Sequence, residues 1–164
     1  MKQITVSVIA FLLLFLPSSA FAKGKTVKIT IEGARLRAPI EITDSHALAP
    51  FNVWAGPNPA MGTSSFDSQP SFVAEWSSGP VHEPSRALPR YKVSFWTDDR
   101  EKVAYVVLYA YDPVVRQGYV YLPGEKDDSY GLNIGTMLRG VEGNWFHAWS
   151  EWDKIAIPLI AAHD

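Results

Sequence analysis

The sequence predicts a single domain of the α+β or mainly β class: a mostly antiparallel, twisted sheet, as a meander or an incomplete sandwich, closed by a short C-terminal helix. Three observations predict it. Lys25 to Glu32 (KTVKITIE) alternates apolar and polar residues strictly, the mark of a strand with one wet face. From Arg90 to Leu122, apolar runs follow one another across short polar turns, which joins neighbouring strands antiparallel. Near the end, Ser150 followed three residues later by Asp153 is an acidic variant of the capping box that starts a helix.

The elements follow in order. After Lys25–Glu32, Gly33 breaks the strand, and Pro39 to Thr43 (PIEIT) forms a second short one through Ile40 and Ile42. Asp44 is a helix cap for a turn or so within His46 to Phe51, which Pro50 keeps short. Gly56 to Pro70 is rich in Gly, Pro, Ser and Asn and reads as a loop. Ser71 to Trp76 (SFVAEW) resumes alternation, and Ser77 to Pro89 is a second Pro-rich loop. Arg90 to Thr97 places Tyr91, Val93 and Phe95 on one face. Val103 to Tyr111 (VAYVVLYAY) is apolar on both faces, as a central strand covered on both sides should be. Gln117 to Leu122 is the next strand, and Tyr130 to Ile134 (YGLNI) is predicted to be another. Pro158 is expected to end the final helix after about two turns.

Composition bounds the biology. The chain has 164 residues, 47% hydrophobic and 20% charged, a globular balance, with a 13% aromatic share that needs burying. Residues 1–22 read as a cleaved export signal. Lys2 supplies a basic start, Val8 to Leu16 (VIAFLLLFL) an apolar run too short to span a bilayer, and Ala20-Phe21-Ala22 the small-x-small cleavage site. Residues 23–164 then form the mature domain, and losing Lys2 takes the net charge from −2 to −3. No basic stripe recruits nucleic acid, and no membrane anchor is expected after cleavage. Cysteine is absent, which excludes a lipid-modified N-terminal cysteine, disulfides and thiolate chemistry. A bacterial exported protein, periplasmic or released, is the expectation, held together by burial alone.

Motifs with a mechanical reason for their spacing are missing. There is no glycine-rich dinucleotide or phosphate loop, no HExxH, no GxSxG and no calcium-binding loop. The four histidines, His46, His82, His147 and His163, do not fall at spacings that pair two imidazoles on a helix, and no metal or cofactor is expected. Glu125, Asp127 and Asp128, with Lys126 among them, read as a solvated hairpin turn. Asp98, Asp99 and Glu101 read the same way. Asn144 to Trp152 (NWFHAWSEW) is the densest aromatic segment. Extended, Trp145, His147 and Trp149 share a face; helical, Trp145, Trp149 and Trp152 do. Core packing is the expected use of these rings, and a ligand platform the alternative.

"PIEITD" (39–44) with "FNVWAGP" (51–57), "YVYLPG" (119–124), "RGVEGNWFHAW" (139–149) and "PLI" (158–160) together resemble a group of small exported bacterial proteins without an assigned activity. The resemblance runs from about Ile29 to Ile160. It implies an exported single-domain bacterial protein and transfers no functional residue.

The functional expectation is a non-enzymatic domain that binds a small ligand or an envelope macromolecule outside the cytoplasm. The residues expected at its surface are Trp54, His82, Trp145, His147 and Trp149, drawn from the loops and the aromatic segment. One alternative is a small envelope hydrolase working through a carboxylate pair, with Glu83, Asp127, Asp128 and Glu142 as its acids. Another is an accessory subunit of an envelope assembly, with the aromatic stripe as its interface.

Overall fold

A computed structural model describes residues 24–57, 72–98 and 102–163. The export signal at 1–22, most of the loop at 56–70, and Asp99 and Glu101 of the charged turn lie outside the described residues. Six strands form one open, wholly antiparallel sheet: β1 (Thr26–Glu32), β2 (Ile40–Ile42), β3 (Arg90–Thr97), β4 (Val103–Asp112), β5 (Gln117–Tyr121) and β6 (Trp145–His147). Their order is β2-β1-β3-β4-β5-β6, so β3 to β6 form the expected meander and the β1–β2 hairpin is added at the β1 end. Three helices accompany the sheet: α1 (Ser45–Leu48), α2 (Tyr130–Thr136) and α3 (Ser150–His163).

Alternation decides which face is dry. Ile40, Ile31, Val93 and Val107 are register partners across four strands, and Ile42, Ile29, Phe95 and Tyr105 form a parallel row. Tyr91, Tyr109, Val120 and Phe146 continue the same face to β6. All twelve side chains are buried and belong to one core. Leu48, Phe51, Val53, Phe72 and the α3 residues Trp152, Ala156 and Ile160 complete that core. Phe51 and Tyr109 meet the Trp152 ring edge-to-face at 5.5 Å and 5.9 Å. The opposite face carries Lys28, Glu32, Lys92, Arg90, Tyr119, Tyr121, Trp145 and His147, and positions the site described below.

Two polar groups are built into the dry side. Arg139 has no exposed surface. Its guanidinium donates to Tyr105 Oη at 3.2 Å, to the Ala55 carbonyl at 2.6 Å and to the Val53 carbonyl. The Phe72 and Tyr105 rings lie 4.5 and 4.9 Å from it. Burial draws its pKa down, and Tyr105 pushes it back up. Asp153 accepts from Tyr109 Oη at 2.9 Å and from the Gly118 N–H at 3.1 Å. Both contacts tie the first turn of α3 to the sheet. The expected capping box therefore does not form: the Asp153 carboxylate turns to the sheet instead of back toward Ser150.

Three predicted elements differ. Tyr130–Ile134 is not a strand but the start of α2. The helix buries Asn133, the chain just past its end buries Met137, and Leu132 and Ile134 are exposed. The reason lies in β4, whose pairing with β5 stops at Leu108. Asn133 takes over that free edge with its amide, accepting from Val106 N–H at 2.8 Å and donating to its carbonyl at 2.7 Å. Second, α3 runs through Pro158 to His163. Continuing the helix keeps the Trp152–Ala156–Ile160 stripe on the core, which outweighs the hydrogen bond Pro158 cannot donate. Third, residues 72–76, the described part of SFVAEW, make one isolated bridge, Ala74 to Ala148, instead of a strand. It runs beside β6, with Trp149 N–H on the Val73 carbonyl at 2.8 Å and Glu75 N–H on the His147 carbonyl at 2.9 Å.

Candidate functional site: an open cleft on the polar face

β3, β4, β5 and β6 bring Arg90, Leu108, Tyr121 and Trp145 to one patch of the polar face, because these residues occupy the wet phase of each strand's alternation. Two loops wall the patch. On one side, Val81, His82 and Glu83 come down beside β6, held by the Val81 N–H on the Trp145 carbonyl at 2.7 Å. On the other, Asp127 from the β5–α2 turn meets Gly143 and Asn144 from the approach to β6. Together they line an open cleft of about 520 Å³, within the usual range of small-molecule sites.

The second wall depends on two glycines. Gly143 sits at φ +82°, and a β-carbon on Gly124 would stand 2.8 Å from Gly143 Cα. Only bare backbone lets these loops touch. Gly143 N–H donates to the Leu122 carbonyl at 2.8 Å and Leu122 N–H to the Asn144 carbonyl at 3.1 Å, extending the β5–β6 ladder up to the cleft rim.

Arg90, Glu83, Tyr121, Asp127 and Asn144 are each anchored in the cleft by part of their hydrogen-bonding capacity. Arg90 lies over the Trp145 indole, 4.6 Å from its centroid, and its Nη2 donates to Glu83 Oε1 at 3.1 Å and to the Pro84 carbonyl at 3.4 Å. Asp127 Oδ2 accepts from Tyr121 Oη at 2.8 Å and Gly124 N–H at 2.7 Å. Burial first, then this bond to Asp127, pushes the Tyr121 hydroxyl's pKa up, so Tyr121 stays a donor. Asn144 Nδ2 donates to the Val141 and Glu142 carbonyls at 3.0 and 3.3 Å.

The residues expected from sequence divide between the two faces. His82 and Trp145 line the cleft. His147 shares the polar face with Trp145 but sits one pleat further on, tilted against Tyr119 at 5.5 Å, with its Nδ1 buried and unpaired. Trp54 and Trp149 belong to the other side. Both are half-buried against the core, with Trp54 Nε1 donating to the Gly24 carbonyl at 2.8 Å and Trp149 edge-on to Phe51. Of the four acids, Glu83 and Asp127 line the cleft. Asp128 is exposed beside it, and Glu142 accepts the Arg139 N–H at 2.5 Å. Sequence reasoning missed Arg90, Leu108, Tyr121 and Asn144. Arg90 and Tyr121 stand in the phase of β3 and β5 opposite the apolar one, whereas Leu108 and Asn144 carry no signal of their own.

No group of three or more metal-ligating side chains forms among the described residues, and none of their helices is long and apolar enough to cross a membrane. Fold and site together define a β-rich, single-domain, cysteine-free protein with an aromatic core on one face of its sheet and an open polar cleft on the other. No family model matches the chain, and no match was found among curated proteins or solved structures.

Proposed function

We propose that the protein is a non-enzymatic binding domain that works outside the cytoplasm, periplasmic or released, and holds its ligand in the cleft between His82–Glu83 and Asp127–Asn144. One observation carries the reading. Arg90, Glu83, Asp127 and Asn144 are each fixed through one side-chain atom, while their other donors and acceptors have no protein partner among the described residues, which is the arrangement of a preorganised binding site. The sequence of residues 1–22 supports the location, as does the resemblance to small exported bacterial proteins. Two experiments test the two halves. The N-terminal sequence of protein recovered from outside the cytoplasm should begin at Lys23; an intact Met1 there would refute cleavage, and recovery from the cytoplasm alone would refute export. Amide spectra of the labelled protein, titrated with fractionated cell-envelope extract, should shift at Arg90, Tyr121, Asn144 and Trp145. No shift with any fraction would refute the binding reading.

A carboxylate hydrolase is the second reading, favoured by Glu83 and Asp127 lining the same cleft. Against it, Glu83 is paired with Arg90, and Asp127 with Tyr121 and Gly124. It predicts turnover of a wall or polysaccharide substrate that Glu83→Gln or Asp127→Asn abolishes. Undiminished turnover in both variants would remove those two acids from the mechanism.

A further inference from the structure

We propose that the ligand of this cleft is a neutral, hydroxyl-rich saccharide, a short run of sugar rings. The proposal rests on the cleft being a binding site and adds the class of what it binds.

Several polar atoms in the cleft are left over. Among the described residues, Arg90 donates only through Nη2, so Nη1 and Nε carry no protein acceptor. Glu83 uses Oε1, for Arg90 and Arg86, and leaves Oε2. Asp127 uses Oδ2 and leaves Oδ1, while Asn144 uses Nδ2 and leaves Oδ1. The cleft thus offers three spare acceptors and the spare donors of one guanidinium, with the His82 ring at its rim. A ligand matching that set must donate at several points and accept at others. Hydroxyl groups do both from one atom.

Charge narrows the class. Glu83 lies 3.1 Å from Arg90 and balances it, and Asp127 adds a second negative charge. An anion reaching Arg90 would have to approach both carboxylates, and a cation reaching the carboxylates would be placed beside the guanidinium. Both lose part of what they gain. A neutral polyol meets neither penalty. It can also lay C–H faces on Leu108 and on Tyr121, which is half-buried and tilted 34° from Trp145. The Trp145 indole is not itself the stacking surface, because Arg90 covers its ring. It is the bed that keeps the guanidinium flat.

The experiment is an amide-spectrum titration of the purified protein with maltohexaose, cellohexaose and N-acetylchitohexaose, beside pentagalacturonate as an anionic probe and spermidine as a cationic one. At least one neutral oligosaccharide is expected to shift Arg90, Tyr121, Asn144 and Trp145, while the two charged probes leave them in place. Asn144→Ala and Asp127→Asn should each weaken that binding roughly tenfold with the spectrum outside the cleft unchanged. In parallel, envelope extract that shifts the cleft amides should lose this effect after periodate cleavage of vicinal diols, except where N-acetylchitohexaose is the glycan that binds, because its 2-acetamido, 4-linked rings carry no internal diol. A shift that survives periodate when none of the three neutral glycans binds, or one produced by a charged probe and by no neutral glycan, overturns the saccharide proposal and leaves the binding reading standing. Extract with no effect before periodate removes the binding reading itself, and this proposal with it.

Discussion

A β-carbon built on Gly118 would stand 2.0 Å from Asp153 Oδ1 and 2.7 Å from Ala148 Cβ, so the first turn of α3 docks on β5 only because residue 118 has no side chain. Gly118→Ala should cost about 1–3 kcal/mol of stability, the usual range for overpacking, read from urea unfolding. Asp153 adds a pH signature. Burial pushes its carboxyl above the ordinary 3.8, while Tyr109 and Gly118 pull it part of the way back. The folded state therefore binds this proton more tightly than the unfolded chain does. Its contribution to stability grows as pH falls from the raised value toward 3.8 and is smallest at neutral pH. The stability of the wild type relative to Asp153→Asn should rise through that window, and a constant difference would refute the assignment. Arg139 is the opposite case, a buried charge satisfied by carbonyls and a hydroxyl. Arg139→Ala strands the Val53 and Ala55 carbonyls and opens a cavity, so about 3–5 kcal/mol should be lost in the same assay.

At the scale of elements, Pro158 makes a sharp prediction. It sits exposed inside α3, where proline costs a helix about 3 kcal/mol. Pro158→Ala restores a donor at a solvent-facing position and should raise the unfolding midpoint. A fall would mean that the ring makes a contact the helix needs. The sequence announced β1, β3 and β5 because each writes its buried face in alternate residues, and β4 because it is apolar on both faces. It misled at α2 because the buried side there is Asn133 with Met137, while the apolar Leu132 and Ile134 that suggested a strand face solvent. Hydrophobic pattern reports burial only where the buried group is apolar, and Asn133 is buried to pair with Val106. The cleft was half legible for a related reason. His82, Glu83 and Asp127 stand out on loops, and Trp145 stands out by type. Arg90, Tyr121 and Asn144 become a site only once register places β3 to β6 side by side, and no spacing along the chain states that register.

For the molecule as a whole, one continuous core underlies all six strands and takes in α1 and α3. No second core exists among the described residues that could melt separately. Thermal unfolding followed by near-UV signals, which report the packed tryptophans, should coincide with that followed by far-UV signals. Two separated transitions would show that the α1 or α3 layer leaves the sheet on its own. The two faces also keep stability and recognition apart. Substitutions at Asn144 or Asp127 touch no core side chain, whereas Trp152, Tyr109 and Phe72 cannot change without disturbing packing.

The stretch from Val73 to Val81 runs along the outer margin of β6, its N–H groups at Glu75 and Val81 meeting the carbonyls of His147 and Trp145. That flap is the sheet's guard against its own kind. Peeled away, it would leave Trp145-Phe146-His147 as a bare, aromatic, unpaired backbone, a ready template on which another chain could lay a strand and begin a fibril. A single protease cut in the exposed Ser77–Ser78 turn should free the half of the flap that holds Val81 to Trp145, while Val73 and Ala74 stay packed in the core. The nicked protein should then seed aggregation well below its melting temperature.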